Sequence, residues 1–348
     1  MLLGKRVYFV IFTISLSRKP NTMKRILCLL ILCCCFAVAN AQAPRMMYGD
    51  ADRTGRPFSK DPYVINYGGR YLMYYTIPSK KGDPTIGTSV GIAESRDLTH
   101  WQKVGEITAA SMHDSENKGL AAPGFLVRDG VIHMFYQNYP KDGSLCAICH
   151  ATSTDGINFE CDTSNPIFRP TGEWNNGRAI DAEVIFFKGR YFLYYATRDP
   201  KGKVQMQGVA TAPADTDFSR GEWSMACDES ILKPELQWEM KCVEAASVIR
   251  RGKRLVMFYA GAYNNSPQQI GVAISKDGVH WKRMWNEPFL ANGAKGEWNE
   301  RESGHPHIFT DTDGRTYLFF QGNKEKGHWY LSNVEIGWWR GKRPYIKK

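Results

Sequence analysis

The sequence predicts an all-β protein, a five-bladed β-propeller with four antiparallel strands in each blade. Three observations carry that prediction. One pattern, a short apolar strand, a turn with glycine and a second strand rich in aromatics, recurs five times along the 348 residues with a period near 60. The composition (Gly 32, Pro 17, 13% aromatic) suits many short strands joined by tight turns. No stretch after the leader carries a sustained helical stripe, whereas VINYGG and VIFFKG alternate with period two.

Residues 1–41 read as an address. They hold six basic residues and no acid. From Met23, which reads as the start, MKRILCLLILCCCFAVANAQ has a basic n-region (Lys24, Arg25), an apolar run from Ile26 to Val38 and the small residues Ala39-Asn40-Ala41 before Gln42. The run is short for a membrane span. The expectation is a signal peptide cleaved after Ala41, an exported periplasmic or secreted protein, and a single propeller domain over 42–348 with no stable membrane span. Without the leader, 39 basic residues face 35 acidic ones, and nucleic-acid binding loses its support. Five cysteines remain, Cys146, Cys149, Cys161, Cys227 and Cys242. In an exported protein they suggest Cys227–Cys242 and one further disulfide among the other three. Cys146-x-x-Cys149 lacks a second pair at zinc-finger spacing, so structural thiols are expected.

The five units begin at Asp61 (DPYVINYGGRYLMYYT), Ala122 (APGFLVRDGVIHMFYQN), Asp181 (DAEVIFFKGRYFLYYAT), Glu244 (EAASVIRRGKRLVMFYAG) and His305 (HPHIFTDTDGRTYLFFQG). Each continues into a second hairpin: GIAESRDLTHW from Gly91, CHATSTDGINF from Cys149, a looser GVATAPADTDFSRGEW from Gly208, and GVAISKDGVHW from Gly271. Asp155-Gly156 and Asp277-Gly278 are favoured turn pairs. Strand pairs repeated radially around a channel make a propeller. Tyr74, Tyr75, Tyr194 and Tyr195, on second strands, are expected in the core.

With the turn glycines (Gly69, Gly130, Gly189, Gly252) as the fixed mark, Asp61, Ala122, Asp181 and Glu244 fall at one position, and His305 or Pro306 at the fifth. Three carboxylates in register converge at the channel, where mutual repulsion makes them costly without a use. Glycoside hydrolysis has that use: one carboxylate activates water, a protonated one feeds the leaving oxygen, and a third raises the acid's pKa. Strand capping by Asp61 and Asp181 is the plain alternative.

KDPYVI at Lys60–Ile65, AIDAEVIFFKGRYFLYYA at Ala179–Ala196 and VEAASVI at Val243–Ile249 together resemble glycoside hydrolase family 43, over essentially the whole chain after the leader. The resemblance implies a five-bladed propeller with Asp61 as general base, Asp181 as the residue that tunes and orients the acid, and Glu244 as general acid. Ala182 stands where family members often have Pro, and Ala-Ala follows Glu244 in place of a Pro-containing turn, which bears on subfamily and substrate. The related family 117 has a histidine before the blade-four glutamate, where this chain has Val243; families 32 and 68 are further relatives. SGHPHIF around His305 resembles the blade-five histidine that in many members sits near a channel cation, often calcium, through water. A core histidine is the plain alternative.

Trp174, Trp238 and Trp298 precede Asp181, Glu244 and His305 at similar distances and read as inter-blade packing or as sugar platforms. Arg178 and Arg301 are expected to bond sugar hydroxyls or pair with the carboxylates. The function expected is inverting hydrolysis of plant-type polysaccharide or oligosaccharide side chains by an α-L-arabinofuranosidase or β-xylosidase, with no cofactor required and calcium at most in the channel. A β-galactosidase, or a non-catalytic sugar-binding propeller, is the alternative.

Overall fold

The computed structural model describes residues 45–347 except Pro84, so the leader and its cleavage point lie outside the described residues. Blade one is β1 (Lys60–Tyr67), β2 (Arg70–Ile77), β3 (Ser89–Ser95) and β4 (Gln102–Ile107). Blade two is β5 (Asn117–Arg128), β6 (Val131–Pro140), β7 (Ile148–Ser153) and β8 (Glu160–Cys161). Blade three is β9 (Ile180–Phe187), β10 (Arg190–Arg198), β11 (Gln205–Pro213) and β12 (Ser224–Met225). Blade four is β13 (Val243–Arg251), β14 (Arg254–Gly261), β15 (Gln269–Ser275) and β16 (Trp281–Arg283). Blade five is β17 (Glu302–Thr310), β18 (Thr316–Asn323), β19 (Tyr330–Trp339) and β20 (Arg343–Ile346). Every sheet pairs its strands antiparallel in chain order, as the repeat predicts. The inner strands β1, β5, β9, β13 and β17 neighbour one another in a closed ring, and the segment before β1 ties the ends together through Tyr48 and Leu331, whose backbones exchange hydrogen bonds of 2.9 and 2.8 Å.

The core is five apolar seams, one between each pair of neighbouring blades. Period-two alternation dictates this: in β2, Leu72 and Tyr74 face blade two, while Met73 and Tyr75 face blade five. The four expected core tyrosines are fully buried. Two bolt blades together, Tyr74 donating to the Gly156 carbonyl and Tyr194 to that of Gly278, each at 2.9 Å. The glycine opening the third strand is explained by its tyrosine: a Cβ on Gly91, Gly208 or Gly271 would stand within 2.5 Å of the ring of Tyr75, Tyr195 or Tyr259.

Two sequence expectations are corrected. All five described cysteines are free thiols; Cys242 is buried at the start of β13, while Cys227 instead donates to the Glu229 carbonyl at 3.1 Å. The register of blade four also differs. The hairpin glycine is the second turn residue in Gly69, Gly130 and Gly189, closing pairs Tyr67–Arg70, Arg128–Val131 and Phe187–Arg190. In blade four Gly252 is the first, closing Arg251–Arg254. The whole of β13 is therefore offset by one, and Ala245, not Glu244, is the structural counterpart of Asp61 and Asp181.

Candidate active site

Each inner strand carries a bulge near its start, where pairing skips between Lys60 and Tyr63, Ala121 and Gly124, Ile180 and Glu183, Glu244 and Ser247, and Gly304 and His307. The first bulged residue has positive φ in all five blades: Asp61 52°, Ala122 45°, Asp181 54°, Ala245 52° and His305 42°. Such backbone costs about 1–3 kcal/mol per residue and re-aims the side chain at the channel. Asp61, Asp181 and His305 use it for that purpose, and the alternative Pro306 is set aside. Glu244 reaches the same place from one position earlier.

The four side chains meet. His305 Nδ1 lies 2.9 Å from Asp61 Oδ1 in a bent, ion-pair geometry, and its Nε2 lies 3.3 Å from Glu244 Oε1. Asp181 offers an oxygen within 4.8 Å of donor atoms of both Glu244 and His305. Asp61, Asp181, Glu244 and His305 are almost wholly enclosed.

Hydrogen bonding distinguishes the three carboxyls. Glu244 accepts from Gln205 Nε2 on one oxygen and from Gln268 Nε2 at 2.7 Å on the other. Gln205 is itself held by Arg178, whose guanidinium donates to Gln205 Oε1 at 2.7 Å, and by Arg198 at 3.2 Å. Gln321 accepts from the Asp61 backbone N–H at 2.8 Å and donates to buried Glu302 at 2.6 Å. Asp181 Oδ2, by contrast, is buried with no partner.

Charge follows from this. Burial alone would raise Asp61, but the charge of His305 and Lys60 holds it well below the usual carboxylate range. Burial likewise opposes ionisation of Glu244, and the His305 contact, Lys60 and Cys242 outweigh it, so Glu244 also lies low. Burial pushes Asp181 up to about 7, with Glu244 and Asp61 adding repulsion against the pull of His305. His305 is held well above its ordinary value, since its carboxylate neighbours overcome its burial. His305 is thus the cationic member of the cluster, and of the three carboxyls Asp181 is the one that burial and repulsion set most strongly against ionisation.

The donor set does not fit direct calcium binding. Both His305 nitrogens face carboxylates, and calcium wants six to eight oxygens.

Below this layer Tyr63, Glu183, Ser247 and His307, where pairing resumes after each bulge, line with the site residues a cavity of about 40 Å³. Burial drives Glu183 up to about 8, and its Oε1 accepts from the Val248 N–H at 2.7 Å. His307 is driven down to about 3 by burial and donates from Nε2 to the Val64 carbonyl at 3.0 Å.

The remaining candidates are placed as follows. Trp238 stacks on Tyr259 and donates to the Asn286 carbonyl; Trp298 packs on Phe320; Trp174 lies against the seam between blades two and three. All three are half-buried, with packing as their observed contacts. Arg178 acts through Gln205, and Arg301 is exposed. Sequence reasoning missed Gln205 and Gln268, although both stand three residues before the third-strand glycine, in QMQGVA and QQIGVA. It also missed Gln321, which holds the same place in blade five as Gln137 in blade two, pairing Gly304 as Gln137 pairs Ala121.

Residues 54–336 match the family described as Glycosyl hydrolases family 43. Among solved structures, a thermostable family-43 glycoside hydrolase superposes with a TM-score of 0.68 at 19% identity, covering 83% of this chain and 93% of that one. An alpha-L-arabinofuranosidase from Lactobacillus brevis gives a TM-score of 0.64 at 15% identity, covering 88% and 96%. At such identities the likeness speaks for the fold. An uncharacterized protein of Mycobacterium tuberculosis is 27% identical over 144 residues, 40% of this chain and 47% of that protein, so the match spans about half of that relative's length.

Proposed function

The chain belongs to glycosyl hydrolases family 43, and from that membership we propose that it is an inverting α-L-arabinofuranosidase or β-xylosidase acting on side chains of plant-type polysaccharides or their oligosaccharides. The observation that carries the reading is the His305 imidazolium set between Asp61 and Glu244 with a raised Asp181 beside them. One imidazole between two close contacts keeps the Asp61 and Glu244 oxygens within roughly 8 Å of each other, which is compatible with the separation of about 6.5–9.5 Å that inversion needs.

In this mechanism Asp61, ionised across the working range, takes a proton from a water as its oxygen attacks the anomeric carbon. Glu244 gives its proton to the leaving glycosidic oxygen as the C–O bond breaks. Glu244 and Asp181, the neighbouring carboxyl that burial and repulsion hold up, share that proton and titrate as a pair. The hydrolysis balances with one water consumed. His305 keeps Asp61 ionised and fixes both carboxylates; no step runs through a metal. Arg178 orients Glu244 through Gln205. The leader sequence supports export to the periplasm or medium.

The test is a panel of aryl arabinofuranosides, xylosides and galactosides, with the anomer of the first-formed sugar read by NMR. Release from the first two with inverted configuration is expected. A retained anomer removes the inverting mechanism, galactoside preference moves the substrate assignment, and no release from any substrate leaves a sugar-binding propeller.

A further inference from the structure

The face of the propeller opposite the carboxylates carries a second feature that hydrolysis does not use. The inner strands run from the site to their hairpin turns, and β3-type strands run the same way, so both sets of turns lie on that far face. Four of these turns, in blades three to five, are basic, whereas the β17–β18 turn carries Asp311 and Asp313 and the β11–β12 connection Asp215, Asp217 and Glu222. Lys188 follows β9, Arg250 to Arg254 span the β13–β14 turn, Lys276 follows β15 and Lys342 lies between β19 and β20. They border one groove of about 880 Å³ that no acidic side chain lines.

Three properties mark the groove as more than scattered surface lysines. First, among the described residues none of its cations is paired with a carboxylate; Asp277, next to Lys276, is taken up by its own turn, accepting from the Val279 and His280 N–H groups. Second, two of the arginines are fixed. Arg251 donates to the Gly341 carbonyl at 3.2 Å and lies 4.3 Å from the Trp338 ring, and Arg250 donates to the Gly252 carbonyl at 3.0 Å. Third, Phe186 lines the same groove with 43% of its surface exposed, offering an apolar ring beside the charges. The chain after the leader has only four more basic than acidic residues, so this groove concentrates charge that the molecule as a whole does not have.

We propose that this groove is a second carbohydrate site, which holds an acidic polysaccharide chain by pairing its uronate carboxylates with Lys188, Arg250, Lys253 and Lys276 and laying a sugar ring face on Phe186. Unpaired cations around a concave surface call for an anionic partner. The exposed ring fits the apolar face of a sugar, and the concave groove suits a single strand better than a lipid surface. The assignment rests on the chain being a carbohydrate-active enzyme, which family membership gives, and not on the sugar proposed for the active site. Its role is to keep the enzyme on acidic polysaccharide while the opposite face hydrolyses glycosidic bonds.

The test is native affinity electrophoresis of the full chain in gels containing polygalacturonate, with neutral arabinan as control. Retardation by polygalacturonate, weakening with salt, and none by arabinan are expected. Lys188→Glu/Arg250→Glu/Lys253→Glu should lower the affinity about tenfold or more, and Phe186→Ala should weaken it without changing the salt dependence. Aryl-glycoside hydrolysis by these variants should equal that of the parent, which also reports folding; Lys276→Glu/Lys342→Glu is the second variant if the triple one does not fold. Absence of retardation at low salt, or equal retardation of the charge variants, overturns the site. Equal or tighter binding of oligothymidylate, or of vesicles of equal phosphatidylglycerol and phosphatidylcholine, overturns the glycan assignment.

Discussion

His305→Asn tests the electrostatics of the site most directly. The imidazolium stands 2.9 Å from Asp61 and 3.3 Å from Glu244. At an effective dielectric of about 20, a unit charge at that range is worth roughly 5–6 kcal/mol to each carboxylate, or about ten-thousandfold in acidity. Asparagine keeps a hydrogen bond and removes the charge. Asp61 is then left with its burial penalty, and the acidic limb of kcat/KM, which wild-type Asp61 keeps below about pH 4, should rise to roughly pH 6. The assay is hydrolysis of an activated aryl glycoside from pH 4 to 9. At pH 5 the variant should lose about tenfold or more, and recover much of the loss at pH 7.5. Thermal unfolding gives a second reading. Asp61 and Glu244, lowered on folding, contribute stability present above their ordinary values near 4 and lost as pH falls. His305, raised on folding, contributes stability that is full below 6.5 and lost only as pH rises through its raised value. A variant with an unmoved acidic limb and an activity loss equal at all pH values would refute an imidazolium in this position.

Three further outcomes follow from the same structure. Glu244→Gln should cut hydrolysis of natural oligosaccharides by about 10²–10⁴ while sparing aryl glycosides with good leaving groups, and Asp181→Asn should pull the upper limb of the pH–rate profile down from near 7; unchanged oligosaccharide turnover in Glu244→Gln would exclude it as the acid. Glu183, pushed up to about 8, favours folding below about pH 4.5 and penalises it as pH rises through 8, so Glu183→Gln should match the parent at pH 5 and exceed it by as much as roughly 4 kcal/mol at pH 9 in denaturant melts. Gly271→Ala would press a Cβ to 2.4 Å from Tyr259 and should cost about 1–3 kcal/mol of stability by chemical unfolding, with the pH–rate profile unmoved.

Five blades, four strands each and the channel position of Asp61, Asp181 and His305 are determined by the sequence, because a propeller repeats one local pattern and each copy must bury the same two faces against its neighbours. The tyrosine–glycine pairs between second and third strands are legible for the same reason. Glu244 is legible as a converging carboxylate but not in its register: the hairpin glycine that serves as a mark moved from the second turn position to the first, a local change of turn that alters every residue number before it. Where the proton sits was decided only by the tertiary structure. Gln205 comes from the third strand of blade three, Gln268 from the loop before the third strand of blade four, His305 from blade five and Asp61 from blade one, and the energy of an ionised group depends on which of these neighbours surround it in space. Local sequence sets which side chains face the channel; the balance between burial and neighbouring charge, which raises His305 and Asp181 and lowers Asp61 and Glu244, exists only once the ring has closed.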